Sequence, residues 1–96
     1  MKKWFVLYTK PNQELKVARH LEEVGISSYC PTISIVKQYS DRKKKIIKPL
    51  ISSYVFVHIE EEKRNNVFSV FGIVRYIFWL GKPAIVRENE IERMKK

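Results

Sequence analysis

The chain has little of what many small proteins use for bracing or catalysis. Its 96 residues include one cysteine, Cys30, so no disulfide can close within it. A lone thiol fits a reducing compartment. The two histidines, His20 and His58, stand far from Cys30 and match no zinc-ligand spacing. The three glycines, at 25, 72 and 81, are too scattered to form a phosphate-cradling loop. There is no Gly-x-Ser-x-Gly, and most carboxylates fall at expected helix starts, where dipole effects account for them. The opening apolar run, Trp4 to Tyr8, is too short for a signal peptide or a membrane span. These absences lead us to expect no enzyme, cofactor, metal site or membrane partner, and a cytoplasmic location.

Acid is the other scarcity. Ten Asp+Glu stand against 19 Lys+Arg, a formal charge of +9. Residues 1–48 hold eleven bases and four acids, and residues 49–96 hold eight and six. Such a surplus on one small body favours an anionic partner. At 45% apolar residues the chain can bury one core, so a single domain over 1–96 is expected. The basic run Arg42-Lys43-Lys44-Lys45 is either a binding surface or a loop kept soluble by repulsion.

The order of elements comes from periodicity and punctuation. Trp4 to Thr9 is β-branched and aromatic and predicts a strand. Asn12 is suited to cap a helix over about 12–24, with Leu15, Ala18, Leu21 and Val24 as its apolar stripe and Gly25 just past its end. Ser28 to Val36 predicts an edge strand because of Pro31. A turn at Tyr39 to Arg42 and a return over Lys45 to Ile47 make a hairpin with a basic tip. In Ser53 to Ile59, Tyr54, Phe56 and His58 share one face and Val55, Val57 and Ile59 the other. Glu60 to Val70 predicts a short helix, Ile73 to Trp79 a strand, and Glu88 to Lys96 a last helix. Helices inserted among antiparallel strands point to an α+β, ferredoxin-like fold with a protruding basic β-hairpin.

Aromatic residues interleave with the bases: Tyr8, Tyr54, Phe56, Tyr76, Phe78 and Trp79 all fall on expected strands. Two binding modes follow. Rings on an open sheet face could stack single-stranded bases, or an apolar patch could seat a partner helix. The strand Ser53 to Ile59 echoes one RNA-recognition-motif signature at Tyr54, Phe56 and Val57, so an RRM-like single-stranded RNA-binding module is the alternative reading. It lacks that signature's leading basic-Gly pair and its final aromatic.

A spaced set of segments carries a more specific likeness. These are Trp4-Phe5-Val6-Leu7-Tyr8-Thr9-Lys10, Gln13 to Leu21, Tyr29-Cys30-Pro31-Thr32, Pro49 to Val57, Gly72-Ile73-Val74-Arg75-Tyr76, and Lys82-Pro83-Ala84-Ile85-Val86 leading into Glu90-Ile91. In that order they resemble the N-terminal domain of NusG-type transcription elongation factors. The likeness is greatest to specialised paralogues of the RfaH and UpxY kind, antiterminators of long operons, often for surface polysaccharides. The family normally adds a KOW domain, which we expect to be absent from this chain, and a monomer is implied.

The resemblance implies an apolar patch, at Tyr8, Tyr54 and Phe56, that docks the clamp helices of the largest RNA polymerase subunit. Lys63, Arg64 and Asn65 fall near the family's second polymerase contact, the gate loop opposite. It further implies contact with non-template or upstream DNA by Lys10, Lys16, Arg19 and His20, to which the hairpin bases Arg42, Lys43, Lys44 and Lys45 would add. Glu23 stands where a base would be expected, which favours general phosphate contact over sequence-specific readout.

Overall fold

The computed structural model describes residues 1–95, and the last residue of the expected C-terminal helix, Lys96, lies outside them. Its spine is β1 (Lys2–Thr9). Along one edge β1 pairs antiparallel with β5 (Tyr54–Glu60), from Lys2↔Glu60 to Tyr8↔Tyr54. The other edge is shared by β6 (Ile73–Tyr76) near Leu7 and β9 (Ile85–Val86) near Trp4. Beyond β5 lies β2 (Ser27–Tyr29), giving the order β2-β5-β1-β6. This is the α+β arrangement that the sequence implies.

Alternation along these strands feeds two apolar layers. Phe5, Leu7, Val55, Val57 and Ile59 face α1 (Glu14–Glu23), which buries Val17 and Leu21 against them. A 3₁₀ helix (Glu61–Ser69) closes the same layer with Val67. Trp4, Val6 and Phe56 face the other way and receive Ile91 of α2 (Glu88–Lys95). Because helices cover both faces, Trp4 to Leu7 are all buried, which is why β1 reads as an unbroken apolar run. Each fully buried Leu or Val contributes about 1.5–3 kcal/mol.

The hairpin stands apart. β3 (Thr32–Tyr39) and β4 (Arg42–Pro49) pair only with each other, from Thr32↔Pro49 to Tyr39↔Arg42. Eight residues per strand make a ribbon about 27 Å long. It draws the molecule out to 52 × 28 × 25 Å, with a radius of gyration of 14.8 Å against about 12.5 Å for a compact chain of this length. A smaller hairpin joins β7 (Phe78–Trp79) to β8 (Lys82–Pro83).

Several local expectations are corrected. Asn12 does not cap α1: it takes a left-handed turn conformation (φ 64°), and Gln13 precedes the helix without a side-chain cap bond. Leu15 and Val24 are exposed, so the buried stripe is Glu14, Val17 and Leu21. Gly25 does end the helix with positive φ, as Ile26 N–H donates to the Leu21 carbonyl. Pro31 splits the expected Ser28–Val36 strand into β2 and β3, and the return strand starts at Arg42 rather than Lys45. The Glu61–Ser69 segment winds as 3₁₀, and Ile73 to Trp79 breaks at Ile77, whose N–H turns to the Val6 carbonyl.

Candidate functional site

The first candidate surface grows from the register of β1 and β5. Tyr8 and Tyr54 are paired residues, and their rings meet edge to face at 6.4 Å. Both are half-buried, and the Arg75 guanidinium sits 5.5 Å from the Tyr8 ring. Phe56 is a correction: it is 5% exposed, stacked on Tyr29 at 6.5 Å, in the cluster that Ile91 of α2 seals. It therefore forms the floor beneath Tyr54 rather than a contact of its own. Trp4 lies beside it, stacked on His58 at 4.8 Å, its indole N–H donating to the Glu88 carboxylate of α2.

A small hairpin adds further apolar residues, of which Phe78 and Trp79 were expected on a strand and Leu80 had no assigned place. Ile77 and Ala84 pack on the Trp4–Phe56 cluster, and the β7–β8 hairpin springs from them. Phe78 is 53% exposed, Trp79 71% and Leu80 84%. Leu80 and Gly81 both have positive φ, as a two-residue hairpin turn requires. Left-handed backbone costs a leucine about 1–2 kcal/mol, so an apolar side chain is held in solvent at the tip against its own preference. Trp79, Leu80, Pro83, Ala84 and Ile85 line a shallow depression of about 360 Å³. The signal in the sequence was Phe78-Trp79-Leu80 running into a glycine turn.

The predicted bases fall into two groups. Arg42, Lys43, Lys44 and Lys45 are all exposed on β4. Lys37 lies directly opposite Lys44, so the ribbon sets these two like charges face to face, while Val36 lies opposite Lys45. Tyr39, opposite Arg42 at the tip, is 44% exposed. On the body, Lys10, Lys16 and Arg19 are exposed and His20 is half-buried, with Arg19 4.0 Å from Glu23.

The third predicted group divides. Lys63 and Asn65 are exposed and, with Lys2, Asn66 and Ser69, line a cleft of about 640 Å³ beside the end of α1. Arg64 is a correction: it turns inward, its guanidinium 5.8 Å from the Phe5 ring and 5.5 Å from Tyr76. Its carbonyl accepts from the Tyr76 hydroxyl at 2.8 Å, and its buried Nε finds no partner. Arg64 braces the 3₁₀ helix against the sheet.

The titratable chemistry is structural. Burial pushes the Tyr76 hydroxyl up to about 12, with Arg64 opposing the shift. It pushes the Cys30 thiol up to about 11, helped by the Glu14 carboxylate. Tyr29 is raised by burial and then by Cys30. Among the described residues no three His, Cys, Asp or Glu come together as a metal site. No helix is long and apolar enough to cross a membrane.

Comparison with known proteins follows the same outline. Residues 2–95 match the family described as "Transcription termination factor nusG", and the chain belongs to that family. A solved structure, "Domain interaction in Thermotoga maritima NusG", has a similar fold with a TM-score of 0.58 at 24% sequence identity. The match covers 98% of this chain and 55% of that one, so the chain spans about half the length of this relative.

Proposed function

Starting from that family membership, we propose that this chain is a transcription elongation domain that docks the clamp helices of the largest RNA polymerase subunit. The docking surface would be Tyr8 and Tyr54 over the Phe56 floor, extended by Trp79 and Leu80. The observation that carries this reading is the apolar hairpin Phe78–Leu80, held in solvent at a conformational cost and rooted, through Ile77 and Ala84, in the same cluster that Tyr54 packs against. Exposed apolar area of this kind marks a protein partner. A helical coiled coil can lay its apolar side chains against the rings and into the depression between Trp79 and Ile85.

The bases then serve DNA. Arg42, Lys43, Lys44 and Lys45 on a free two-stranded ribbon suit upstream duplex, since such a ribbon fits a major groove. Lys10, Lys16, Arg19 and His20 lie on the body, suited to a non-template strand. Lys63 and Asn65 are the residues left for a gate-loop contact, because Arg64 is committed to the core. Holding both sides of the polymerase channel shifts a conformational equilibrium of the clamp and transforms no substrate. The reading is of a cytoplasmic, monomeric, non-enzymatic factor of the RfaH and UpxY kind.

Titration against a clamp-helix fragment tests it. The wild-type chain should bind, and Tyr54→Ala and Trp79→Ala should each weaken binding while the protein stays folded. An RRM-like module would instead bind free single-stranded RNA and ignore the fragment, and that result would overturn the reading.

A further inference from the structure

A cavity of about 350 Å³ lies where the ribbon springs from the body, and neither the apolar docking surface nor the basic rows use it. The end of β4 supplies one wall, with Ile47, Lys48 and Pro49. The start of α1 and the turn before it supply another, with Asn12, Glu14 and Leu15. Ser52, in the turn that follows the ribbon, completes the lining. The chemistry divides in two. Leu15, Ile47 and Pro49 are apolar, whereas Glu14, Asn12 and Ser52 carry oxygen acceptors.

Glu14 is the unusual member, the one buried acid among the described residues, at 4% exposure. Its Oε2 accepts the Ser53 N–H at 2.6 Å, and no other donor to this carboxylate is found among the described residues. No Lys, Arg or His among them lies within ion-pairing distance of it. Lys48 lines the same cavity and stays exposed without pairing. A chain of net charge +9 therefore leaves its buried carboxylate without a cation, an arrangement that costs free energy until a positive group arrives.

The lining selects the kind of cation. A hard metal ion needs several oxygen or nitrogen ligands, and no three His, Cys, Asp or Glu gather among the described residues. A guanidinium fork wants both oxygens of a carboxylate, and Ser53 already holds one. An alkylammonium has three donors, which match the free Glu14 oxygen, the Asn12 amide oxygen and the Ser52 hydroxyl. Its hydrocarbon stem suits the wall of Leu15, Ile47 and Pro49.

We propose that this cavity binds a small primary amine in its ammonium form, with Glu14 as the counter-ion. The walls belong to both ribbon and body, so an occupied cavity ties down the root of an element that pairs with no other strand. This site stands apart from the polymerase and DNA readings and does not need either.

The test is an amide NMR titration of the ¹⁵N-labelled chain with n-butylammonium chloride near neutral pH, at matched chloride, with n-butanol as the uncharged control of the same stem. The amides of Leu15, Lys48 and Ser53 should shift and saturate with n-butylammonium and stay still with n-butanol. Glu14→Gln should weaken binding by about 10- to 150-fold, the worth of a hydrogen bond to a charged group. That change also touches the Ser53 turn, so Leu15→Lys serves as a second variant. It sets a rival ammonium at an exposed edge of the cavity, and should abolish the shifts at an unchanged melting temperature. Lys48→Met removes a like charge and should tighten binding. No saturable shift in the wild-type chain, an equal response to n-butanol, or undiminished binding by either Glu14→Gln or Leu15→Lys would each overturn the proposal. Binding by Lys48→Met alone would overturn it as well, and would make Lys48 the occupant of the cavity.

Discussion

Glu14 illustrates how much one residue can carry unannounced. By sequence it is a first-turn acid, favourable to the helix dipole and nothing more. In the fold it is 4% exposed and accepts the Ser53 N–H at 2.6 Å. Ser53 has φ 67°, and its carbonyl in turn accepts the Thr9 N–H at 2.8 Å. Glu14 therefore pins the turn that delivers Tyr54 beside Tyr8. Glu14→Ala leaves a half-buried N–H without its charged acceptor, and urea unfolding should show a loss of about 1–3 kcal/mol. Glu14→Gln keeps an acceptor and should lose less. The same carboxylate discourages a negative thiolate at Cys30 and adds to the burial effect, and together they raise its titration to about 11. Native Cys30 should therefore alkylate slowly near neutral pH, with a rate that climbs toward pH 11, while the unfolded chain titrates near 8.5. The sign is that of an acid held neutral. Folding gains from the protonated thiol below the unfolded titration, and that gain is lost as pH rises toward 11. A native alkylation profile matching the unfolded one would contradict it.

Among the elements, the ribbon is the one whose sequence and stability pull in different directions. Lys37 and Lys44 are direct cross-strand partners, a pairing that disfavours the strands it joins. No described acid lies within ion-pairing distance of either residue. Lys44→Glu turns this pair attractive and should stabilise the ribbon by about 0.2–1 kcal/mol, read from hydrogen exchange of β3 and β4 amides. The same change should weaken DNA binding and make its log–log salt dependence shallower by about one. A variant both more stable and equally good at binding DNA would mean that these lysines only keep the ribbon soluble. The ribbon was legible in sequence because alternation and a polar turn are local signals. The small β7–β8 hairpin was not: its strands are two residues each, too short for periodicity, and its turn uses Leu80 where Asn would advertise it. The 3₁₀ winding of Glu61–Ser69 was also hidden, since tertiary packing of Val67 and Arg64, rather than helix propensity, sets it.

At the scale of the whole molecule, the α+β class followed from helices inserted among antiparallel strands, while the sheet order β2-β5-β1-β6 came only with the fold. So did the knowledge of which rings stay open. Tyr54 and Phe56 have the same periodicity, yet α2 seals one and leaves the other half-buried, a difference made by a helix more than thirty residues later. Arg64 was lost to the site for a similar reason, since its neighbour Tyr76 arrives twelve residues on. The architecture nevertheless separates two kinds of surface. The Tyr8–Tyr54 pair belongs to the five-stranded sheet, and Lys43 and Lys44 belong to a ribbon that pairs with no other strand. Sites without shared partners should act independently. Tyr54→Ala should therefore weaken clamp-helix binding and leave DNA affinity alone, because one ring face is removed and no charge changes. Reversing Lys43 and Lys44 to Glu should do the opposite, and should steepen no dependence of clamp-helix binding on salt. Combined in one chain, the changes should add to within about 0.3–0.5 kcal/mol in each assay. Coupling beyond that would mean that the ribbon reaches back over the aromatic surface, and that one partner spans both.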